Sequence, residues 1–171
     1  MKLAEIRASI SGMRHDKMHC RDAVRAFLRP QMKDFQVMLT LTLKQSWYDK
    51  NGQMKVKHYL SANDLPSICS RFEHKLNRLV WKSKYTRHKT ERLRMLKAWE
   101  DGRGTKRKHL HLLIGNMPKH MKFNMLPRLV EDAAKQCYEI DAQYDATLCD
   151  KDALDYITKE VGKHDTDKIL W

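Results

Sequence analysis

The chain has 171 residues, a typical length for one domain with a buried core. Its 34 lysines and arginines outnumber its 21 aspartates and glutamates, and the formal net charge of +13 indicates a polyanionic partner, nucleic acid first. No apolar run approaches the roughly 20 residues that a membrane-spanning helix needs, and charges throughout residues 1–30 exclude a signal peptide there. We therefore predict a single cytoplasmic domain over residues 1–171 with no membrane partner, although such a charge also suits ribosome-associated and lipid-binding proteins.

Four cysteines are scattered along the chain without a CxxC pair: Cys20, Cys69, Cys137 and Cys149. This spacing favours neither a disulfide framework nor a zinc ribbon. We expect reduced thiols that mostly fill the core.

The first third of the chain predicts a helical segment and then a hairpin. Residues 1–30 have apolar positions at helical spacing and form a helical, partly mobile N-terminal segment. Its His15, His19 and Cys20 resemble a solvated helix face more than a metal site. Residues 35–44 alternate cleanly, with Phe35, Val37, Leu39, Leu41 and Leu43 on one side of a half-buried strand. Asn51-Gly52 is a hairpin signal, and residues 53–60 should pair back on the first strand.

The middle of the chain predicts one helix and two neighbouring strands. Asn63 is the expected cap of a helix that runs to about Lys84, with a buried apolar stripe and a basic outer face. That outer face could contact phosphates: Arg71, Lys75, Arg78 and Lys82. Residues 92–100 and 108–115 form strands, and residues 101–107 form a basic, glycine-containing loop between them.

Two further helices and a weak strand complete the pattern. Asn124 is the expected cap of a helix with Pro127 in its first turn, and residues 140–148 form the strand. Asp150 caps a last helix that ends near Gly162. Interleaved helices and hairpin-type strands indicate an α+β fold, a central, mainly antiparallel β-sheet flanked by helices.

Two histidines occupy the strand KHLHLLIG. Residues i and i+2 of a strand share a face, so His109 and His111 project into the same space. An exposed strand face can also carry histidines without a role. A divalent ion that must bind phosphate oxygens needs a further ligand, preferably a carboxylate. Glu100, at the end of the preceding strand, is the candidate, and Asp101 lies beside it.

The segment Tyr156-Ile157-Thr158-Lys159 places a phenol and an amine on one helix face, because positions i and i+3 are neighbours. Such a pair also occurs by chance in many helices. A phenol close to a cation is a plausible nucleophile.

These motifs together resemble the HUH superfamily of single-strand DNA endonucleases, particularly the rolling-circle replication initiators of plasmids and viruses. The likeness covers a threonine strand from Thr40, the HLH strand and the YxxK helix, in order, from Thr40 to Lys159. It implies an HUH endonuclease domain with an RRM-like palm. The single tyrosine is a departure from the two-tyrosine initiators and from many relaxases.

The resemblance implies a nicking and joining reaction. Tyr156 would attack a phosphodiester of single-stranded DNA and leave a 5′-phosphotyrosine bond and a free 3′-hydroxyl, with Lys159 neutralising or orienting the phosphate. His109, His111 and Glu100 would hold Mn²⁺ or Mg²⁺. The substrate would be single-stranded or hairpin DNA at a replication origin. A replicative helicase would be a compatible partner. We also predict DNA contacts by these residues: Thr40, Thr42, Lys44, Arg103, Lys106, Arg107 and Lys108.

Two alternatives stay open. A related single-tyrosine transposase or relaxase shares the histidine pair, and a shared active site in a dimer would favour the transposase. A basic DNA-binding protein with a noncatalytic site is the alternative from another class. Aromatic residues for base stacking would come from Trp47, Tyr48, Trp81 or Trp99, at least two of which should be core residues instead.

Overall fold

A computed structural model describes residues 17–48, 57–100, 107–150, 152–159 and 169–170. The helices are α1 (Lys17–Leu28), α2 (Leu65–Trp81), α3 (Leu126–Ala134) and α4 (Ala153–Ile157). The strands are β1 (Phe35–Leu43), β2 (Ser46–Tyr48), β3 (Lys57–Tyr59), β4 (Arg94–Glu100), β5 (His109–Gly115), β6 (Ile140–Leu148) and β7 (Ile169–Leu170). None of the helices within these ranges is long and apolar enough to cross a membrane.

The main sheet has the strand order β6-β1-β5-β4, with the two-residue β7 at the β4 edge. Every pairing in it is antiparallel. Helices lie on both faces, which confirms the predicted α+β class. The predicted strands at residues 35–44, 92–100, 108–115 and 140–148 are all present, within two residues at each end.

One face of the sheet carries the larger core. Alternating leucines and valines of β1 and β5, among them Val37, Leu39 and Leu112, pack under α2 and α3. Phe72 and Leu76 of α2 are fully buried in this layer. The side chains of this layer are therefore committed to packing.

The opposite face is only partly covered. Helices α1 and α4 pack on it through Val24, Leu28, Leu154 and Ile157, which meet Leu113 of β5 in a second, smaller core. The remainder of this face is polar, because β1 and β5 present threonines and histidines there instead of leucines. An open polar patch beside a helix-covered region is where a site can form.

Two predictions about the first strand are wrong. Lys57–Tyr59, the described strand of the segment predicted to pair back on β1, pairs instead as β3 with the short β2 in a separate two-stranded sheet. Phe35 does not share the face of Val37, because the register of β1 against β5 shifts between these residues, and Phe35 joins the smaller core. The predicted turn at Asn51-Gly52 lies outside the described residues.

Several predicted helix boundaries also change. The cap before α2 is Ser61, whose backbone N–H donates to Asp64, in a short 3-10 turn that precedes the helix. Asn63 is inside that turn, and α2 ends at Trp81. No side-chain cap hydrogen bond joins Asn124 to α3, which follows a similar turn.

The last helix starts as predicted but is short. Asp150 accepts hydrogen bonds from the backbone N–H groups of Asp152 and Ala153, both at 3.0 Å, and so caps it. Helix α4 ends at Ile157, and Gly162, its predicted end, is not among the described residues.

The tryptophans divide as expected between core and surface. Trp99 is buried, and Trp81 is half-buried and packs against the larger core. Trp47 stacks on His58, with ring centroids 5.8 Å apart, and Tyr48 is exposed.

We expect the Cys69 thiol to be inert in the folded protein. Burial raises the pKa of Cys69 to about 12, and the thiolate is the reactive form. Alkylation with iodoacetamide near pH 8, read by peptide mass spectrometry, should therefore modify Cys69 only after unfolding. The half-buried Cys149 is the internal comparison and should react sooner. Equal labelling of Cys69 in native and denatured protein would contradict this burial.

Candidate functional site

The two histidines of β5 lie on the open face of the sheet. Strand alternation sends Leu110 and Leu112 into the larger core and His109 and His111 to the opposite side. His111 is buried, with 5% of its surface exposed, whereas His109 is half-buried. Their ring centroids are 6.3 Å apart. The predicted shared orientation is confirmed.

Threonines of β1 hold both imidazole rings. In the antiparallel register Thr40 pairs with His111 and Thr42 with His109. The hydroxyl of Thr40 lies 3.0 Å from Nδ1 of His111, and that of Thr42 lies 3.4 Å from Nδ1 of His109. A partner on Nδ1 fixes the ring and favours use of Nε2 toward a ligand. The two threonines therefore position the histidines.

Glu100 ends β4 directly opposite His109 in the register. Its Oε2 lies 3.4 Å from Nε2 of His111, and its Oε1 accepts a hydrogen bond of 2.9 Å from Nζ of Lys159. Burial acts to raise the pKa of Glu100, but the hydrogen bonds and charges of Lys159 and His111 outweigh it and the pKa is lowered. Glu100 is an ionised carboxylate that joins the strand to the last helix.

At His111, unlike at Glu100, the effect of burial on the pKa outweighs the effect of the neighbouring charge. Burial lowers the pKa of its imidazole, although the hydrogen bond and charge of Glu100 act to raise it. A lowered pKa favours the neutral ring, which is the form of histidine that can donate a lone pair.

Helix α4 brings Tyr156 to this cleft, and the turn that follows the helix brings Lys159, so the predicted shared helix face is wrong for Lys159. The Tyr156 ring meets the His111 ring edge to face, with centroids 5.4 Å apart. Nζ of Lys159 lies 5.7 Å from the centre of the Tyr156 ring. Tyr156 is about half exposed, at 49%. A helix-borne phenol therefore stands beside the histidine pair, as the YxxK spacing predicted.

Helix α1 fixes the position of α4. Arg21 donates to the backbone carbonyl of Lys159 at 3.1 Å, and Arg25 donates to the Thr158 hydroxyl at 3.0 Å. Arg25 also forms a 2.9 Å ion pair with Asp155. A five-residue helix is too short to be stable alone, so these contacts set where Tyr156 lies. Sequence patterns gave no sign of this role for the two arginines.

The side chains surround an open cleft of about 540 Å³. Its lining includes the predicted Thr40, Glu100, His109, His111, Tyr156 and Lys159. It also includes Met38, Asp145 and Thr147, which sequence reasoning missed. Asp145 pairs with Thr40 across β6 and β1, so the alternation of β6 could have revealed its face but not its neighbour.

The remaining predicted DNA contacts lie elsewhere. Thr42 belongs to the site through His109, but Lys44 lines a different cavity, between β2 and the end of α3. Arg107 forms an ion pair with Asp141. The backbone carbonyl of Lys108 accepts a hydrogen bond from Leu43, and its side chain is half-buried. Arg103 and Lys106 are outside the described residues.

The donor set suits a divalent ion by its chemistry. Imidazole and carboxylate are ligands for Mn²⁺ and its neighbours. The 3.4 Å between His111 Nε2 and Glu100 Oε2 is close to the ~3 Å separating two ligands that each bind one ion at ~2.1 Å near a right angle. His109 is farther away, and across the described ranges no group of three or more His, Cys, Asp or Glu side chains is placed to hold an ion. Binding by all three would require their side chains to converge.

Comparison with known protein families, with curated proteins and with solved structures finds no match to this chain.

Proposed function

We propose that the protein nicks and rejoins single-stranded DNA, with Tyr156 as the nucleophile and a divalent metal ion, Mn²⁺ or Mg²⁺, as cofactor. One observation carries the proposal. Strands β4 and β5, helix α4 and the turn after that helix bring Glu100, the two histidines, Tyr156 and Lys159 to a single open cleft. The charge of +13 supports a polyanionic substrate.

The reaction would be a transesterification at phosphorus. The Tyr156 oxygen forms a bond to the scissile phosphate and loses its proton to solvent, and the bond from phosphorus to the 3′ oxygen breaks. The 3′ oxygen takes up a proton and leaves as a hydroxyl. Because one phosphate ester replaces another, the 3′-hydroxyl can reverse the step, so the same site can join strands without ATP.

The side chains that line or support the cleft have distinct roles in this reaction. The Lys159 ammonium, beside the Tyr156 ring, is placed to attract a phosphate. Glu100 holds Lys159 in position through their 2.9 Å ion pair. Thr40 and Thr42 keep the imidazole rings oriented into the cleft. Arg21 and Arg25 hold the helix that carries the nucleophile.

His109, His111 and Glu100 would hold the ion. When bound there, a divalent cation polarises a phosphate and stabilises the negative charge that develops on it. Glu100 can contribute Oε2 while Oε1 stays paired with Lys159.

Replacement of Tyr156 by phenylalanine tests the proposal. We expect the wild-type protein, with Mn²⁺, to form a covalent adduct with 3′-labelled single-stranded oligonucleotides that contain a randomised segment. Tyr156→Phe should reduce the adduct at least about a thousandfold, since it removes the attacking oxygen. A denaturing gel measures the adduct, and sequencing of the trapped strands identifies the target.

Tyr138→Phe is the matched control, because Tyr138 is similarly exposed, at 58%, and does not line the cleft. It should retain the wild-type yield. An adduct that survives Tyr156→Phe would assign the nucleophile to another residue and overturn the proposal.

A noncatalytic DNA-binding protein is the second candidate. It is favoured by the pairing of Glu100 with Lys159 and by the lack of a ready three-ligand group among the described side chains. If the protein binds the oligonucleotide pool but forms no adduct in either Mn²⁺ or Mg²⁺, the result would favour the noncatalytic DNA-binding protein. If adducts form, a dimer that shares its active sites would move the assignment from initiator to transposase.

A further inference from the structure

A second basic surface lies at the other end of the sheet. The segment 82–92 connects α2 to β4 and contains one acid, Glu91. Its cationic residues are Lys82, Lys84, Arg87, Lys89 and Arg92. Together with Arg78 of α2, these residues form what we call the basic turn.

The basic turn encloses a cavity of about 640 Å³. Three cations, three hydroxyl groups and one carboxylate line it: Arg78, Lys89, Arg92, Tyr85, Thr86, Thr90 and Glu91. His74 also lines it, and its Nδ1 lies 3.1 Å from the Tyr85 hydroxyl. Cations beside hydroxyl donors are the groups that recognise phosphate oxygens.

The backbone of the turn has a defined, unusual path. Residues Lys84–His88 form a π-helical turn, and Lys82 and Lys89 at its two ends have φ of 48° and 53°. Backbone hydrogen bonds close it, from Thr86 to Lys82 and from Thr90 to Lys84, both at 3.1 Å. Single π turns and left-handed residues are often found at functional sites. The cations are therefore carried on a specific backbone shape.

Several arginines elsewhere in the described structure are held by carboxylates, whereas the cations of the cavity are not. Arg25, Arg71, Arg94 and Arg107 each form an ion pair with a carboxylate. For Arg78, Lys89 and Arg92, the described part of the chain supplies no carboxylate within ion-pair distance. Positive charges close together repel one another, and an external anion offsets that repulsion.

We infer that the basic turn binds phosphate groups, those of a nucleic-acid backbone, at a site separate from the candidate nicking cleft. Arg92 lies two residues before β4, and Glu100 is the last residue of that strand. The eight residues between them correspond to about 26 Å of extended chain. The site would grip DNA at a distance from the cleft, and it requires no activity of Tyr156.

Nucleic acid fits this surface better than a lipid membrane. Peripheral membrane sites combine cations with exposed apolar side chains that insert among the lipids. The large apolar side chains that are exposed in the described structure lie elsewhere: Tyr48, Tyr59, Met125, Tyr138, Leu148 and Tyr156. The three cations and three hydroxyl groups of this cavity are groups that bind phosphate oxygens. The same chemistry could recognise free phosphate or pyrophosphate, which the experiment must separate.

The test compares two triple variants that each remove three positive charges. The first is Arg78→Gln, Lys89→Gln and Arg92→Gln, and the control is Lys119→Gln, Arg128→Gln and Lys135→Gln, at exposed positions outside the basic turn. Affinity for a short DNA duplex and for a single strand is measured by fluorescence anisotropy over a range of salt concentrations. Inorganic pyrophosphate and vesicles containing phosphatidylserine are the other two probes.

We expect the first variant to bind duplex DNA about tenfold more weakly or worse at ~0.1 M salt, and the slope of log K against log salt to fall by about 2 to 3. The control should change neither quantity as much. If the first variant lost only the binding of pyrophosphate, the basic turn would be a site for a free phosphate ligand and not for nucleic acid. Equal losses in both variants, or a loss confined to the vesicles, would overturn the inference. Because Tyr156 is intact in both, this outcome is independent of the adduct assay.

Discussion

Replacing His111 by asparagine is expected to lower the nicking rate at least about a hundredfold while leaving single-strand binding within about threefold of wild type. The asparagine amide occupies roughly the place of Nδ1, so it can still meet the Thr40 hydroxyl, 3.0 Å from that atom. It has no atom at the place of Nε2, which faces Glu100 at 3.4 Å. Partners outside the ligand shell are already worth about 10- to 100-fold, so a ligand atom should be worth more.

His111→Gln provides the matched comparison. Its amide reaches roughly the position of Nε2, so it should retain more activity than the asparagine variant. His120→Ala is the surface control, because His120 is exposed and does not line the cleft. Adduct formation and Mn²⁺ binding by calorimetry measure the effect, and thermal unfolding checks that each variant folds.

The order of the two variants distinguishes a chemical role from a packing role. If His111 had only a packing role, the activity of the asparagine variant would fall in proportion to its loss of stability. Its affinity for Mn²⁺ would be unchanged. Similar rates for both variants and wild type would remove His111 from the reaction.

Four of the five strands of the main sheet were predicted from local sequence patterns, whereas the two-residue β7 was not. In β1 the alternation of Leu39, Thr40 and Leu41 assigns both faces. The errors fall where a local pattern carries no information on pairing. A three-residue strand such as β2 has no period to detect, and the register shift that turns Phe35 to the other face depends on the neighbouring strand.

Lys97 shows another limit of pattern reasoning. It lies on β4 between Met95 and Trp99, on the face of the larger core, and is 8% exposed. An ion pair with Glu73 of α2 allows this burial, since a buried charge must be paired. The partner is 24 residues away, so only the packing of α2 against the sheet reveals it.

The residues of the candidate site were predicted, but most of the contacts that hold them in place were not. The i, i+2 and i, i+3 rules correctly placed the two histidines on one strand face and Tyr156 near Lys159. The pairing of Glu100 with Lys159, and the hold of Arg21 and Arg25 on α4, arise from tertiary packing. Sequence spacing contains no record of such contacts.

Gly115→Ala is expected to destabilise the fold by about 3 kcal/mol, which for a chain of this length lowers the melting temperature by roughly 6 to 12 °C. A methyl group added at Gly115 would lie 2.0 Å from the backbone carbonyl oxygen of Asp34 and 3.0 Å from its carbonyl carbon. Backbone cannot rotate away as a side chain can. Gly115 also pairs with Phe35 on one side and Arg94 on the other, so both neighbouring strands must shift.

Ala142→Ser is the control, since it adds one atom at an exposed position of β6 and should change stability by less than about 0.5 kcal/mol. Urea unfolding followed by circular dichroism gives both values. The close approach at Gly115 lies where the register of β1 changes, between Phe35 and Val37. Because the same two strands align Thr40 with His111, relaxation of the clash by a register shift would also separate that pair, and nicking would fall with stability. Wild-type stability in Gly115→Ala would show that β1 and β5 do not approach so closely, and the alignment of the threonines with the histidines would lose its structural basis.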